Sequence, residues 1–202
     1  RYLVKIYHKS REQKANKQLD KLKSLYNQPY PKSFIKPLYL ISEPFIGYVM
    51  LRVKGHEPLN RLLIPPASGK FSTWFNESTG GLRRRYYLGY QIADTFHHLH
   101  ATGQAYCDIS GSNILVAKDF SKASICMIDI DNLYVPGTGI PDVLGTLRYM
   151  APEIISKQMV PDIISDDHSL AVLLFELLRI GHPYIGNMVD NGTPDMELLA
   201  FQ

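Results

Sequence analysis

The sequence predicts a chain that mixes helices and strands, and three stretches carry that prediction. Residues 2–7 are rich in β-branched, aromatic and aliphatic side chains, which favours a strand. In residues 82–101, apolar side chains recur at helical spacing, at Leu88, Ile92, Phe96 and Leu99. Residues 170–180 are apolar on nearly every face, which is typical of a buried helix. Composition and periodicity alone predict no more than this mixed α and β class.

The first part of the chain continues with one helix and two strands. A stripe of leucines predicts a helix over residues 10–26, with Ser10 as a suitable N-cap. Two prolines and an Asn mark a turn at 27–31, which ends that helix. The runs 34–42 and 45–52 are rich in aliphatic and aromatic side chains and predict two strands.

The remaining elements alternate with loops rich in Gly, Pro, Ser and Asn. A short helix is predicted over 58–63, and loops are predicted at 65–70 and 76–81. Apolar runs at 114–116 and 124–128 predict two short strands on either side of a turn.

The composition argues against several classes of protein. The 202 residues carry a formal net charge of +3, which by itself indicates neither a nucleic acid nor a membrane as partner. A basic helix before residue 27 is the one feature that favours nucleic acid, and we expect no such binding. No apolar stretch is long enough to span a bilayer. Two cysteines, Cys107 and Cys126, make no disulfide framework, so we expect a reducing, cytoplasmic location.

One predicted loop, residues 106–113, brings an acid and an amide close together. The acid, Asp108, can orient and deprotonate a hydroxyl group. The amide oxygen of Asn113 can bind a hard cation such as Mg²⁺. A D-x-x-x-x-N spacing is common, so alone it indicates little. Here a second acid, Asp129, follows the strand-like run 124–128, and a T-x-x-x-x-A-P-E segment follows from Thr146.

In this order, these residues resemble the catalytic loop, the metal-binding Asp and the A-P-E segment of the protein kinases. Lys5, in the strand V-K-I, resembles the kinase lysine that pairs with the α- and β-phosphates of ATP. Asp166 resembles the acid that opens the central helix of the large kinase lobe and accepts bonds from the catalytic-loop backbone. Each motif alone is weak evidence, but all of them together, in the order found in kinases, are specific evidence. The resemblance covers nearly the whole chain.

The resemblance implies an α+β, two-lobed fold. A small β-rich lobe would occupy residues 1–53, and a larger, mainly helical lobe would occupy residues 54–202. In kinases a Gly-rich loop that covers the phosphates precedes this lysine, but only four residues precede Lys5 here. The chain also starts at Arg1 instead of Met. We expect both lobes to be incomplete. The implied activity is transfer of the γ-phosphate of ATP, with Mg²⁺, to a Ser or Thr hydroxyl of a protein substrate.

The resemblance also assigns a role to each polar group. Asp108 would be the catalytic base, and Lys5 would hold the α- and β-phosphates. Asn113 and Asp129 would bind Mg²⁺, and Thr146 would brace the catalytic loop.

Four further residues would surround the nucleoside. Met50 would lie behind the adenine as gatekeeper, although a core methionine fits the same position. The backbone groups of Leu51 and Val53 would bond the adenine edge, and Glu57 would meet the ribose hydroxyls.

The sequence departs from the kinase pattern at several positions. The acid that pairs with Lys5 from the following helix is not evident, and Asp20 and Glu12 are the candidates. Asp131 replaces the Gly of D-F-G, where it could add a metal ligand or cap a turn. Ser110 replaces a lysine that kinases keep near the γ-phosphate. These departures favour two alternatives, a kinase of a small molecule and a non-enzymatic pseudokinase scaffold, and we expect a divergent, microbial kinase-like protein.

Two further features have more than one interpretation. His97, His98 and His100 could form a metal cluster, but no Cys or carboxylate follows at ligand spacing, so we favour a packed His100 beneath the catalytic loop. Asp166 or Ser165 could simply be the N-cap of the helix over 170–180.

Overall fold

The computed structural model describes residues 1–7, 12–134 and 145–186, and for residues 12–18 it describes the backbone alone. The mixed α and β class is confirmed, since two three-stranded sheets are combined with helices. The predicted N-cap at Ser10 lies outside the described residues.

The first sheet has the strand order β1-β3-β2 and is antiparallel throughout. Its strands are β1 (Tyr2–Ile6), β2 (Pro37–Ile41) and β3 (Gly47–Leu51). Lys5 on β1 lies opposite Tyr48 on β3, so the two side chains share one face of the sheet. Helix α1 (Glu12–Tyr26) follows β1 and buries Leu22 and Leu25 in the core.

Gly47 makes this register possible. A Cβ atom at Gly47 would lie 2.1 Å from the carbonyl oxygen of Lys5, so no other residue fits there without moving β1. The close approach of the two strands therefore fixes where Lys5 emerges from the sheet.

The second sheet has the order β4-β5-β6 and is also antiparallel. Its strands are β4 (His56–Pro58), β5 (Ile114–Ala117) and β6 (Ile125–Met127). An isolated bridge between Phe34 and Met127 connects the segment before β2 to β6. In that bridge Ile35 N donates to Met127 O at 2.9 Å, and Met127 N donates to Ser33 O at 2.8 Å.

Five further α-helices lie in the rest of the described chain. They are α2 (Asn60–Leu63), α3 (Phe71–Thr73), α4 (Gly81–His100), α5 (Pro152–Ile155) and α6 (Ile163–Arg179). A π-helical turn, Trp74–Ser78, follows α3, and 3₁₀ turns span Ile130–Asn132 and Leu147–Tyr149. The long helices α4 and α6 pack against each other and supply most of the helical core.

Several element boundaries differ from the predictions. Helix α6 begins at Ile163, before the predicted start at 170, because Asp162 and Ser165 form a reciprocal capping box. Asp162 is therefore the N-cap, and the N-cap role considered for Asp166 or Ser165 is wrong. The predicted helix 58–63 begins only at Asn60, because β4 pairs with β5. The predicted loop 76–81 is partly the π-helical turn.

The buried guanidinium of Arg85 joins three elements in the helical core. It donates to Leu62 O at 2.7 Å and to Leu177 O at 3.0 Å, which satisfies carbonyl groups at the ends of α2 and α6. It also donates to Thr79 Oγ1 at 2.9 Å. Burial, together with the neighbouring Arg84, lowers the pKa of Arg85 to about 10, so the side chain stays charged at neutral pH.

We predict that Arg85→Ala lowers the free energy of unfolding by about 3 kcal/mol or more, because it opens a cavity and leaves buried carbonyl groups without a donor. Urea denaturation followed by circular dichroism measures this change. Arg83→Ala is the matched control, since Arg83 is exposed on the same helix, and it should change that free energy by about 0.5 kcal/mol or less. Equal losses in the two variants would contradict the role given to the buried guanidinium.

Candidate active site

The loop 106–113 is anchored by the buried carboxylate of Asp166 on α6. Asp166 Oδ2 accepts from Tyr106 N at 2.6 Å, and Oδ1 accepts from Cys107 N at 2.9 Å. The contact predicted between Asp166 and the loop backbone is confirmed. It stabilises a strained segment, because Cys107 has a φ of 64°, in the left-handed region that non-glycine residues rarely adopt.

A packed histidine supports the same anchor. His100 Nε2 lies 3.1 Å from Asp166 Oδ2, and His100 is largely buried at the end of α4. The interpretation of His100 as a packed residue beneath the loop is therefore confirmed. Within the described residues, His, Cys, Asp and Glu side chains form no cluster of three or more that could hold a metal.

Tyr106 connects the loop to the strand that carries Asp129. Its hydroxyl donates to Ile128 O at 2.5 Å, and Ile128 N donates to Asn113 O at 3.0 Å. Burial raises the pKa of Tyr106 well above its usual value, so the hydroxyl stays neutral and remains a donor. The two segments with the predicted catalytic and metal-binding groups are thus held side by side.

Three donors hold both carboxylate oxygens of Asp108. Thr146 Oγ1 donates to Oδ1 at 2.7 Å, which confirms that Thr146 braces the loop. Asn113 Nδ2 donates to Oδ2 at 2.8 Å and also to the Asp108 carbonyl oxygen at 2.9 Å. Asn132 Nδ2 donates to Oδ2 at 3.2 Å. Sequence reasoning missed Asn132, because its role depends on the turn that brings it back towards Asp108.

Lys5 lies between two acids of that same turn. Its Nζ is 3.0 Å from Asp129 Oδ1, 2.9 Å from Asp131 Oδ1 and 3.1 Å from Asp131 Oδ2. Tyr48, which lies opposite Lys5 in the sheet, donates its hydroxyl to Asp131 Oδ1 at 3.2 Å. Burial alone would lower the pKa of Lys5, but the charges and hydrogen bonds of Asp131 and Asp129 outweigh it and raise that pKa above its usual value.

The candidate acid partners of Lys5 on the helix need correction. The Asp20 side chain is 76% exposed and lies 3.7 Å from Lys23 Nζ, so this candidate is not the partner of Lys5. The Glu12 side chain lies outside the described residues. The carboxylate of Asp131 binds Lys5 and Tyr48, a contact that neither alternative considered for it foresaw, and its role as a metal ligand stays a prediction.

Asp129 begins the turn in a left-handed conformation, with φ 57° and ψ 54°. For a non-glycine residue this conformation costs about 1–3 kcal/mol, and such strain often marks functional sites. It redirects the chain into the 3₁₀ turn Ile130–Asn132, where Asn132 N donates to Asp129 O at 3.0 Å. The turn therefore presents Asp129 and Asp131 to Lys5, and Asn132 to Asp108.

The donor chemistry at the site suits Mg²⁺. The carboxylate of Asp129 is 35% exposed, and Asn113 uses its Nδ2 on Asp108, which leaves its amide oxygen for a cation. Mg²⁺ is commonly bound by one or two protein oxygen ligands together with phosphate oxygens and water. Lys5, at the edge of the same cluster, suits a phosphate group. The residues present therefore fit ATP with Mg²⁺.

The four residues predicted around the nucleoside lie on β3, on the connection to β4, and on β4. Met50 is partly buried and packs against the core, which is compatible with a gatekeeper and with a core methionine. Leu51 is exposed at the end of β3, and Val53 follows it. Glu57 lies on β4 opposite Val116. Their contacts with adenine and ribose stay predictions.

Comparison with known proteins identifies the family. A model of the protein kinase domain matches residues 48–198, well over half of the chain. The chain belongs to the protein kinase family. It therefore has an α+β kinase-like fold, and it is a protein-kinase-like phosphotransferase by family. Among the described residues, no helix combines the length and the apolar character that crossing a membrane requires.

Individual relatives are distant. Calcium-dependent protein kinase 25 of Arabidopsis thaliana is 26% identical over 174 residues, which cover 85% of this chain and 30% of that protein. Protein kinase YegI of Escherichia coli (strain K12) is 25% identical over 154 residues, covering 70% and 22%. Putative serine/threonine-protein kinase/receptor R826 of Acanthamoeba polyphaga mimivirus is 29% identical over 101 residues, covering 49% and 6%. The chain spans less than a third of the length of each.

We predict that Asp166→Asn weakens the anchor of the catalytic loop, because an amide offers one acceptor oxygen where the carboxylate offers two. The amide protons of Tyr106 and Cys107 should then exchange with solvent roughly tenfold faster or more. Hydrogen exchange followed by NMR measures this directly. Asp119→Asn is the control, since it removes an exposed carboxylate whose contacts are with Ser121 and Lys122, and unchanged exchange at both amides in Asp166→Asn would contradict the anchor.

Proposed function

We propose that this chain is the kinase domain of an ATP- and Mg²⁺-dependent protein kinase that phosphorylates Ser or Thr hydroxyls. The observation that carries the proposal is the fixed carboxylate of Asp108 beside the cluster of Lys5 and Asp129. Thr146, Asn113 and Asn132 hold that carboxylate, so it is aimed before any substrate arrives.

Asp108 orients the substrate hydroxyl and accepts its proton. Its Oδ1 accepts one hydrogen bond, from Thr146, and a carboxylate oxygen has a second lone pair for a hydroxyl group. General-base catalysis of this kind contributes about 10²–10⁴ to the rate. Phosphoryl transfer requires little covalent chemistry from the protein, so positioning of the reactants and electrostatic stabilisation account for most of the rate enhancement.

Lys5 would hold the α- and β-phosphates, and Asn113 and Asp129 would hold Mg²⁺. When bound, ATP would supply the phosphoryl group and Mg²⁺ would offset its negative charge. We place the adenine near Met50 and the backbone of Leu51 and Val53, and the ribose near Glu57. These contacts lie where the small lobe, residues 1–53, meets the large lobe, residues 54–202.

A protein substrate is favoured over a small molecule by the segment that follows the catalytic loop. The A-P-E residues form the first turn of α5, with Pro152 at its N-terminal position. Just before it, the buried hydroxyl of Tyr149 donates to Glu176 Oε2 at 2.6 Å, which ties the segment to α6. One observation favours the small-molecule alternative: Ser110 stands where many kinases have a lysine, and it is buried, with its hydroxyl oxygen 2.8 Å from that of Ser112.

Cys107 replaces the arginine that can pair with a phosphate on the activation loop of other kinases. Its thiol is buried, and burial raises its pKa well above the usual value, so it offers no charge to a phosphate. We infer that activity does not depend on activation-loop phosphorylation. Neither Cys107 nor Cys126 forms a disulfide, which is compatible with the reducing cytoplasm.

We predict that Asp108→Asn lowers the rate of phosphate transfer by about 10²–10⁴, because the amide cannot accept the proton. Transfer of labelled phosphate from ATP to a generic protein substrate measures this rate. Asp119→Asn is the matched control, since Asp119 is an exposed acid whose contacts among the described residues are with Ser121 and Lys122 of its own turn. Equal turnover by wild type and Asp108→Asn would contradict the assignment of the base.

The second candidate is a pseudokinase, which binds ATP without transferring phosphate. Measuring nucleotide binding apart from phosphate transfer distinguishes the two candidates. We predict that ATP with Mg²⁺ raises the melting temperature of the wild-type protein, because a ligand bound to the native state stabilises it. Asp129→Ala should remove most of the Mg²⁺-dependent part of that rise. A shift with no phosphate transfer would favour the pseudokinase, and no shift in the wild type would contradict both candidates.

A further inference from the structure

Lys5 needs a fixed position if it is to hold phosphates. An acid of the helix after β1 was expected to fix it, but the structure places an acid of the turn 130–132 beside Lys5. The carboxylate of Asp131 contacts Lys5 Nζ with both oxygens, at 2.9 and 3.1 Å. The Asp131 side chain is 11% exposed, against 35% for Asp129, so the contact to Asp131 is the more protected of the two. Water therefore competes less for the ion pair with Asp131.

The position of Asp131 is itself fixed from two sides. The hydroxyl of Tyr48, which shares a sheet face with Lys5, donates to Asp131 Oδ1 at 3.2 Å. From α1, Lys21 Nζ donates to the carbonyl oxygen of Asp131 at 2.5 Å. The turn that contains Asp131 is anchored by Ile130, which is buried in the core. Asp131 is thus held by the sheet, the helix and the core at once.

Asp129 cannot serve Lys5 in the same way during the proposed reaction. Its carboxylate is assigned to Mg²⁺, and a cation on that carboxylate weakens its attraction for the ammonium group. The Asp131 carboxylate is less exposed than that of Asp129, so it is less accessible to a cation. Its ion pair with Lys5 can persist when the nucleotide and its metal are bound.

We propose that Asp131 is the positioning residue of Lys5, in place of an acid from the helix that follows β1. Among the described side chains of α1, that of Lys21 reaches this turn, and the negative charge beside Lys5 comes from the turn itself. Asp131 holds Lys5 extended over the site, so that Lys5 is aimed at the phosphates before they bind. This inference rests on the proposed function, because it concerns the phosphate-binding role of Lys5.

The test compares Asp131→Asn and Asp131→Glu with the wild-type protein. Isothermal titration calorimetry with ATP and Mg²⁺ gives the dissociation constant, and phosphate transfer at varied ATP concentration gives kcat and KM. Asp131→Asn should weaken ATP binding by about tenfold or more, and kcat/KM for ATP should fall by about tenfold to a hundredfold, because loss of one partner leaves Lys5 mispositioned. Asp131→Glu, which restores the carboxylate, should recover part of both losses.

Asp20→Asn is the matched control, since it removes an acid of equal charge from the exposed face of α1. It should leave the dissociation constant and kcat/KM within about twofold of the wild type. Urea denaturation of each variant, without nucleotide, separates loss of folding from loss of positioning.

Each outcome bears on a different statement. If wild type transfers phosphate while Asp131→Asn binds ATP as tightly as Asp20→Asn does, the positioning role is overturned and the proposed function stands. If no variant transfers phosphate but Asp131→Asn binds ATP more weakly and Asp131→Glu restores binding, the positioning role stands and the kinase activity is overturned. A loss of stability in Asp131→Asn with unchanged ATP affinity and unchanged KM would make Asp131 merely structural and would overturn the proposal.

Discussion

The ion pair between Lys5 on the first sheet and two acids on one short turn is the contact on which the site depends. Lys5 meets Asp129 and Asp131, and the next residue, Asn132, donates to Asp108. Four consecutive residues, 129–132, therefore connect Lys5 to the carboxylate of Asp108. A displacement of this turn would disturb the proposed metal ligand, the lysine and the proposed base together.

The turn can hold this arrangement because its surroundings are rigid. Asp129 adopts a left-handed conformation that costs free energy, and that cost is offset by packing and hydrogen bonding on either side. Ile130 is buried in the core after the turn begins, and Tyr106 bonds the strand before it. Asp166 then fixes the backbone of Tyr106 from α6. The strain is confined to the residues where the chemistry is proposed.

The family and most of the elements could be predicted from the sequence, because each motif and each helical repeat is recognised from residues that are close together in the chain. The sequence also predicted that Asp166 and Thr146 would contact the catalytic loop. The partner of Lys5 was out of reach, because Lys5 and Asp131 are 126 positions apart and only the folded chain brings them together. The N-cap at Asp162, in contrast, was predictable from the sequence, because the pattern D-x-x-S that forms its capping box is local.

A double-mutant cycle between Lys5 and Asp131 tests the central claim most directly. Free energies of unfolding are measured for the wild type, Lys5→Met, Asp131→Asn and the double variant, without nucleotide. If the ion pair organises the site, the two substitutions should be non-additive, with a coupling free energy of about 1 kcal/mol or more. Additive effects, with coupling indistinguishable from zero, would contradict the claim that this contact holds the sheet to the turn.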